Sequence, residues 1–399
     1  MQRWLEIFRE FLFLGLTSFG GPTAHIGFFR ERFVDLKKWL DDQEFANALA
    51  LCQFLPGPAS SQLGLVIGWK QGGWLGAFAA WLGFTLPSAI LMTVFGVSLG
   101  WFIDDLSKGA GWLRGLQIAV IVVIAKAVYQ MWTSLCTRRS HQLIALLAAA
   151  AMLGTGLPWL QLVLIALGAV TGWILWGRRE KEAEPELSKP GPLERGSRTI
   201  AITCLLLFGV LLIGLPLAAQ WRPDWSIVTT FDAMYRSGSL VFGGGHVVLP
   251  LLSEEVVARG TISEAEFLAG YGAAQAVPGP LFTFSAFLGS RIDGPGGAWV
   301  MALVALLGIF LAAWLLIMGV MPFWESVSRK PALKAALAGT NAVVVGLLIA
   351  ALYTPVWTGA ITGTADVVFL IGVGIALILF RIPAWAVVIS AGLAGAAFL

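Results

Sequence analysis

Charged side chains are scarce in this chain of 399 residues, because Lys, Arg, Asp and Glu together make up 12% of it. An ordinary soluble domain carries about 25%, and a water-soluble fold could not cover its surface with so few charges. Hydrophobic residues account for 58% of the chain, and its 18 Trp and 25 Phe suit anchoring at two lipid interfaces. The composition therefore indicates an integral membrane protein surrounded by lipid.

Cysteines are few, and catalytic motifs are lacking. Cys52, Cys136 and Cys204 are scattered without a C-x-x-C spacing, which argues against a disulfide framework, a zinc site or a dithiol centre. The chain has no G-x-x-x-x-G-K-[ST] loop and no Ser/His/Asp or H-E-x-x-H constellation. We therefore expect no enzyme activity and no cofactor. The net charge of +3 is too small to imply nucleic acid as a partner.

Hydrophobic stretches of membrane-spanning length dominate what is present. They lie at about 73–102, 111–132, 157–176, 199–220, 297–321 and 332–353, with shorter ones at 141–155, 365–380 and 383–399. One long polar segment rich in charge and proline interrupts them. We accordingly divide the chain into an N-terminal repeat at 1–176, a cytoplasmic polar linker at 177–198, a connecting transmembrane helix at 199–221 and a C-terminal inverted repeat at 222–399.

The two sides of the linker repeat each other in order. FGGP at 19–22 is followed, 34 residues after its last position, by PGP at 56–58. FGGG at 242–245 is followed, 33 residues after its last position, by PGP at 278–280. Between these motifs, Gln53 matches Gln275. Such ordered matches indicate an internal duplication.

The loops and the motifs together predict the orientation of the chain. Basic residues at 138–139, 177–198, 329–330 and 381 favour the cytoplasmic side, which gives a cytoplasmic N-terminus, a periplasmic C-terminus and two inverted halves. The apolar run at 11–19 measures roughly 14 Å as a helix, whereas the hydrocarbon core is about 30 Å thick. The sequence thus predicts an all-α polytopic fold whose helices are re-entrant or broken at the Gly-Gly-Pro and Pro-Gly-Pro motifs.

These motifs favour an anion site near the middle of the membrane. Pro58 and Pro280 stand where returning half-helices would begin, and glycine lets a ligand approach the backbone closely. Free N–H groups at such helix starts attract anions, although the ingoing half-helices bring negative ends to the same depth. Additional donors in the first turns are Ser60, Ser61, Gln62, Thr283 and Ser285.

Each of these features also has a purely structural alternative. The glycine and proline breaks could be packing kinks, His25 and His246 could bond to backbone, and Gln53 and Gln275 could join helices. The candidate substrate-binding residues are Gly20, Gly21, Pro22, His25, Gln53, Pro56, Gly57, Pro58, Ser60, Gly243, Gly244, Gly245, His246, Gln275, Pro278, Gly279, Pro280 and Thr283.

Other repeated or paired charges predict structure rather than chemistry. The spacing of Asp41 and Glu44, and that of Ser263 and Glu266, fits the helix capping box. The i,i+4 spacing of Asp232–Arg236 in an apolar stretch predicts a structural ion pair.

Four long segments of the chain resemble the chromate ion transporter family. They read FGGPTAHIGFFRERFV, QFLPGPASSQLG, FGGGHVVLPLL and YGAAQAVPGPLFTFSAFLG. The resemblance covers essentially the whole chain, including its two fused halves. It implies a multi-pass protein of the bacterial inner membrane that exports chromate and confers chromate resistance. The family positions that this chain matches are Gly20, Gly21, Pro22, Pro56, Gly57, Pro58, Gly243, Gly244, Gly245, His246, Gln275, Pro278, Gly279 and Pro280.

The resemblance and the motifs together predict a secondary transporter that works by alternating access around a midplane site. Sulfate stays open as cargo because it has the charge and tetrahedral shape of chromate. An anion channel of the same fold is the main alternative, and a membrane-embedded enzyme is less favoured because the sequence offers no redox centre or nucleophile constellation. The driving force stays open, and a homodimer is one arrangement that the sequence permits.

Overall fold

A computed structural model describes residues 3–101, 111–155, 157, 159–177 and 197–399 of the chain. Every regular element among these residues is helical. The first half comprises α1 Arg3–Thr17, α2 Gly21–Arg30, α3 Asp42–Phe54, α4 Ala59–Trp101, α5 Gly111–Leu135, α6 Arg139–Thr155 and α7 Leu160–Trp176. Helix α2 continues as a π-helix over Glu31–Leu36.

The second half repeats this order after the single helix α8, Arg198–Trp221. It comprises α9 Ser226–Ser239, α10 Val248–Val256, α11 Glu264–Ala276, α12 Phe284–Ser290, α13 Gly297–Val320, α14 Pro331–Ala351, α15 Thr364–Gly374 and α16 Ala384–Phe398. Short 3₁₀ turns precede α10 and α12, at Gly245–Val247 and Leu281–Thr283. Helix α15 continues as a π-helix over Ile375–Leu379.

Five helical segments in the described residues are long and apolar enough to cross a membrane. They are Ala59–Leu99, Gly111–Leu135, Arg198–Trp221, Gly297–Ser328 and Pro331–Ala360. All nine hydrophobic stretches predicted from the sequence coincide with helices, which confirms the all-α polytopic fold. The predicted linker lies almost wholly outside the described residues, and the boundaries of the four predicted regions stay predictions.

Helix α4 folds back on itself at Gly72–Gly73. Gly73 has φ 58° and ψ −145°, a conformation in which glycine avoids the strain of a side chain. The arm before the turn, 59–71, packs closely on the arm after it, 74–101, because the backbones of Gly68 and Gly76 are in contact. The chain that leaves the first Pro-Gly-Pro motif therefore reverses direction before the long helical arm begins.

The two halves are interleaved, because helices of the second half pack directly against helices of the first. Helix α16 of the second half packs along α5 of the first half, and α14 of the second half packs along α6 and α7 of the first. Small residues one helical turn apart form both crossings. They are Gly111 and Gly115 against Ala391 and Gly395, and Gly168 and Gly172 against Ala335 and Gly339. Their lack of bulk lets the helix backbones approach closely, as is typical of membrane helix pairs.

Candidate anion-binding site

Glycines with positive φ end the first helix of each half. Gly20 has φ 104° and Gly21 has φ 76°, and both follow closely on the end of α1 at Thr17. Gly243 has φ 78° and Gly244 φ 151°, shortly after α9. Residues with a Cβ rarely adopt these angles, so glycine is strongly favoured at these breaks. The predicted breaks are present in both halves.

Two reciprocal backbone hydrogen bonds join the motifs of one half to those of the other. The Gly57 N–H donates to the Val241 carbonyl oxygen at 2.7 Å, and the Gly279 N–H donates to the Ser18 carbonyl oxygen at 3.0 Å. Val241 and Ser18 each stand two residues before a glycine pair. We call these two bonds the inter-half clasp. The clasp brings all four predicted motifs into one region of the molecule.

The clasp gives Gly57 and Gly279 a packing role that the sequence did not reveal. Both glycines are buried and have positive φ, 124° and 96°. A Cβ at Gly279 would lie 2.9 Å from Ser88 Oγ and 3.2 Å from the Phe84 carbonyl oxygen. Their amides already have carbonyl partners, so the anion-facing N–H groups expected at these two positions are engaged within the protein. A direct cargo contact at either glycine stays a prediction.

The difference between Pro22 and Gly245 has a steric explanation. A Cβ on Gly245 would come within 3.1 Å of Pro22 Cγ and 3.6 Å of Leu281 Cδ2. The first half places its proline ring against the second half at this point, and the second half makes room by having glycine there. The two glycine motifs therefore contact each other and are not interchangeable.

The other motif glycines leave their backbone open. Gly20 and Gly243 are exposed, and Gly21 and Gly244 are half-buried. A Cβ on Gly21 would meet no other atom within 4 Å. A Cβ on Gly244 would meet only Met131 Sδ, at 3.9 Å, whereas one on Gly20 or Gly243 would come within 3.1 Å of a neighbouring side chain. Gly21 and Gly244 are therefore the motif positions with most space beside the main chain.

His25 is sealed inside the first half. It is 1% exposed, its Nε2 lies 3.2 Å from the Ser18 carbonyl oxygen, and its Nδ1 lies 3.3 Å from Ser60 Oγ. A carbonyl can only accept, so Nε2 carries the hydrogen and the Ser60 hydroxyl donates to Nδ1. Because Ser18 O also accepts from Gly279, His25 supports the clasp.

His246 occupies a more open position in the second half. It is half-buried, and its Nδ1 lies 2.8 Å from the hydroxyl oxygen of the fully buried Tyr271. Gln275 follows Tyr271 one turn later on α11 and is half-buried. The sequence reasoning missed Tyr271, although its place one turn before Gln275 was a usable signal.

Several buried polar atoms around the motifs have no hydrogen-bond partner among the described residues. They are Ser18 Oγ, Ser61 Oγ, Gln62 Oε1, Thr85 Oγ1, Gln275 Nε2 and Ser285 Oγ. Buried polar atoms are nearly always paired in native proteins, so unpaired ones beside the motifs of both halves mark positions where a ligand or water can bind. Five of the six can donate to an oxyanion, and Gln62 Oε1 can only accept.

The remaining candidates differ in whether their polar atoms already have hydrogen-bond partners within the protein. Thr283 donates from its hydroxyl to the Pro280 carbonyl oxygen at 2.8 Å, and the Gln62 amide donates to the Pro56 carbonyl oxygen at 2.7 Å. Gln53 is exposed, unlike Gln275. Pro58 and Pro280 immediately precede the helical residues that follow them, and Pro278 is buried. Ser61 and Ser285, not Ser60 and Thr283, are therefore the hydroxyls left open.

The structural interpretations of the charged motifs are confirmed. Asp41 with Glu44, and Ser263 with Glu266, form complete capping boxes at the starts of α3 and α11. Arg236 pairs with Asp232 at 2.9 Å, and also with Glu255 at 2.6 Å.

The fold is that of a multi-pass membrane protein built from two repeats whose broken helices meet. A family model described as "Chromate transporter" matches residues 5–173 and 228–396, one match in each half. The chain belongs to this chromate transporter family, a family of transport proteins and not of enzymes.

Curated relatives agree with this assignment. A chromate transport protein of Pseudomonas aeruginosa is 30% identical over 348 residues, which cover 86% of this chain and 79% of that protein. A chromate transport protein of Cupriavidus metallidurans is 26% identical over 358 residues, 87% of this chain and 81% of the relative. An uncharacterized transporter of Bacillus subtilis, YwrA, is 26% identical, and 39% of this chain covers 98% of it. A half-length relative is consistent with an internal duplication. No solved structure matches the chain.

Proposed function

We propose that this protein is a secondary transporter that moves chromate, or a similar tetrahedral oxyanion such as sulfate, across the bacterial inner membrane. Outward movement would give chromate resistance. The observation that carries the proposal is the inter-half clasp, which gathers the motifs of both halves beside unpartnered buried donors. Family membership supports chromate as the cargo.

The chemistry of the site suits an anion with several oxygens. Ser61, Ser285 and Gln275 can donate from both halves, and the open glycine backbone lets the cargo come close. Hydrogen bonds to a charged oxygen are roughly twice as strong as neutral ones. An oxyanion held by donors from both halves would stabilise contact between the halves.

In our proposal, the two inverted halves allow alternating access to the site. We place the N-terminus in the cytoplasm and the C-terminus in the periplasm, so that the two glycine motifs approach the site from opposite faces. The basic segment 30–38 then lies inside. Two of its basic side chains pair with Glu10, which accepts from Arg32 at 2.5 Å and from Lys37 at 2.6 Å.

Chromate flux in proteoliposomes tests the transport proposal. We expect saturable uptake of chromate, counterflow when chromate is present on both sides, and inhibition by sulfate. Gly279→Val should abolish flux, whereas Gly27→Ala, at a helical position with no atom within 4 Å of the added Cβ, should not. Currents that reverse at the anion equilibrium potential without counterflow would establish a channel instead.

Thiol labelling tests the orientation. In a background lacking Cys52, Cys136 and Cys204, a cysteine replacing the exposed Leu36 should resist an impermeant reagent added to intact cells. A cysteine replacing the exposed Thr261, which we place outside, should react quickly. The reverse pattern would contradict the proposed orientation.

A further inference from the structure

Lys126 is an unpaired charge inside a membrane-spanning helix. Charged residues are rare in the five spanning segments away from their ends, and Lys70 among them pairs with Glu44. Arg114, near the start of α5, pairs with Asp366 at 2.6 Å. Lys126 is exposed and forms no hydrogen bond or ion pair with any described residue. An ionisable side chain within a membrane helix is costly and usually faces a polar cavity or a binding partner.

The exposed side of α5 around Lys126 is polar. From this residue to the end of the helix, the exposed side chains are Lys126, Tyr129, Gln130, Thr133 and Ser134. Helix α8, most of which is also exposed, presents mainly apolar side chains, such as Ile202, Leu206, Val210, Ile213 and Leu217. The contrast indicates that α8 faces lipid, whereas this part of α5 faces a polar space.

The second glycine motif lies just beyond Lys126 along α5. A Cβ on Gly243 would lie 3.3 Å from Met131 Cε, and one on Gly244 would lie 3.9 Å from Met131 Sδ. Met131 follows Lys126 by five residues, which is about 7.5 Å of helix rise. The lysine therefore stands about one and a half turns from the contact with this motif.

The turn of α5 before Lys126 leads to Gln275. Val122 and Val123, which share a helix face with Lys126, belong to a buried apolar cluster. Ala276, the residue directly after Gln275, packs against the same cluster. The unpartnered amide of Gln275 is thus brought toward this face of α5 from a second helix.

Helix α16 brings the first glycine motif to the same part of α5. The crossing of small residues described above makes α16 antiparallel to α5, so Trp385, in the first turn of α16, lies level with the turn of α5 before Lys126. Trp385 contacts Phe19 of the first glycine motif, with ring centroids 5.1 Å apart. Lys126 therefore lies between the levels at which the two glycine motifs approach α5.

The oxyanion site as described has donors but no opposite charge. Ser61, Ser285 and Gln275, whose donors are open, are all uncharged. Sulfate and the chromate dianion carry two negative charges, and taking such an ion out of water is costly unless an opposite charge compensates. An unpaired ammonium group at the level of both motifs supplies that charge.

We propose that Lys126 provides the positive charge that holds the oxyanion beside the two glycine motifs. Its ammonium group offers three N–H donors, which complement the hydroxyl and amide donors of the two halves. A hydrated point charge on a flexible stem suits a cargo that must leave the site as well as enter it. A role in transport rests on the function proposed above, whereas oxyanion binding at Lys126 does not require that the anion be moved.

Snorkelling to the membrane surface is the alternative for this lysine. Lys126 stands nine residues before Leu135, the last residue of α5, or about 14 Å along the axis. A lysine in such a position can lay its stem along the helix and place its charge among the lipid headgroups. Removing the charge would then leave oxyanion binding unchanged.

Equilibrium binding of chromate and sulfate separates these two roles. Lys126→Met keeps an unbranched side chain and removes the charge, so we expect affinity for both anions to fall roughly ten- to hundredfold. Lys126→Arg should recover most of the loss. Lys334→Met changes another exposed lysine, near the start of α14, and should bind as the wild type does. Wild-type affinity in Lys126→Met would overturn the proposal and establish snorkelling.

Thiol labelling in open membrane fragments tests contact with the anion without any transport. In the background lacking the three native cysteines, Lys126→Cys should react quickly with a water-soluble thiosulfonate, and sulfate should slow the reaction while chloride at equal ionic strength does not. Leu206→Cys, on the apolar surface of α8, should react slowly and ignore sulfate. Labelling of Lys126→Cys with an ethylammonium group restores the charge and should restore affinity, whereas an ethylsulfonate group should not.

The labelling result separates this inference from the transport proposal. If the wild-type protein moves no oxyanion, the transport proposal fails, and protection by sulfate still decides whether an oxyanion reaches position 126. Labelling of Lys126→Cys that is as slow as that of Leu206→Cys, or that is equally fast with and without sulfate, would overturn the inference.

Discussion

The two halves have the same backbone arrangement at the clasp, but they differ in the side chains beside their glycine motifs. Each half donates one amide to the clasp and accepts at one carbonyl. In the first half, His25 is sealed and bonded to that carbonyl, whereas in the second half His246 is half-buried and bonded to Tyr271. The duplicated backbone sets the architecture of the site. The histidines indicate that the first half supports this backbone while the second presents polar groups to the cargo.

The largest expected effect tests whether the two clasp glycines are equivalent. Alanine at Gly279 requires a positive φ, which costs roughly 1–2 kcal/mol, and places Cβ 3.2 Å from the fixed Phe84 carbonyl oxygen. Alanine at Gly57 meets mainly the end of the flexible Gln62 side chain. We therefore expect Gly279→Ala to abolish flux and Gly57→Ala to reduce it, measured against the amount of inserted protein.

The control for this comparison is Gly21→Ala, which shares the positive φ but meets no atom within 4 Å. It should be milder than either clasp variant if steric contact dominates over backbone strain. Equal losses in all three variants would show that φ alone determines the effect. Gly57→Ala as the more damaging change would contradict the asymmetry that we infer between the two contacts.

The histidines should respond in different measurements. His25→Gln disturbs two buried hydrogen bonds, and an unsatisfied buried group costs about 1–3 kcal/mol, so we expect a lower melting temperature in detergent. His246→Gln also disturbs a hydrogen bond, the one to the buried Tyr271 hydroxyl, so it too should lower the melting temperature. Because it alone changes a half-buried side chain of the second glycine motif, we expect it to weaken oxyanion affinity, which His25→Gln should leave unchanged. Tyr271→Phe is the matched variant and should resemble His246→Gln. The opposite pattern would reverse the roles that we give to the halves.

Local patterns predicted much of this fold because they arise from the chain's own periodicity. The hydrophobic stretches became helices, and both capping boxes formed at the spacing that the sequence shows. All the motif glycines except Gly245 also adopt a positive φ.

Contacts between the halves were not predictable in the same way. Nothing near Gly57 in the sequence specifies Val241 as its partner, since that bond depends on how two distant hairpins pack. The exchange of helices left a weak signal in four pairs of small residues spaced four apart, at 111 and 115, 168 and 172, 335 and 339, and 391 and 395. Such pairs predict a close crossing but not which helix is crossed. The sequence analysis missed Thr85 because this residue is distant from the motifs along the chain and approaches them only in the folded structure.

The smallest expected effects separate hydroxyls that support the structure from those that face the cargo. Ser60 and Thr283 already bond to His25 and the Pro280 carbonyl, whereas Ser61 and Ser285 have no partner in the described residues. Alanine at Ser60 or Thr283 should lower stability by about 0.5–1.5 kcal/mol and change affinity little. Alanine at Ser61 or Ser285 should leave melting unchanged and weaken oxyanion affinity by at most about tenfold, because each loses one bond made only to the ligand. Equilibrium oxyanion binding and the melting temperature, measured on all four variants, distinguish the structural hydroxyls from those that face the cargo. If Ser61→Ala and Ser285→Ala bind the oxyanion as the wild type does, the open hydroxyls do not contact it, and the cargo is held by the glycine backbone and the His246–Tyr271 pair instead.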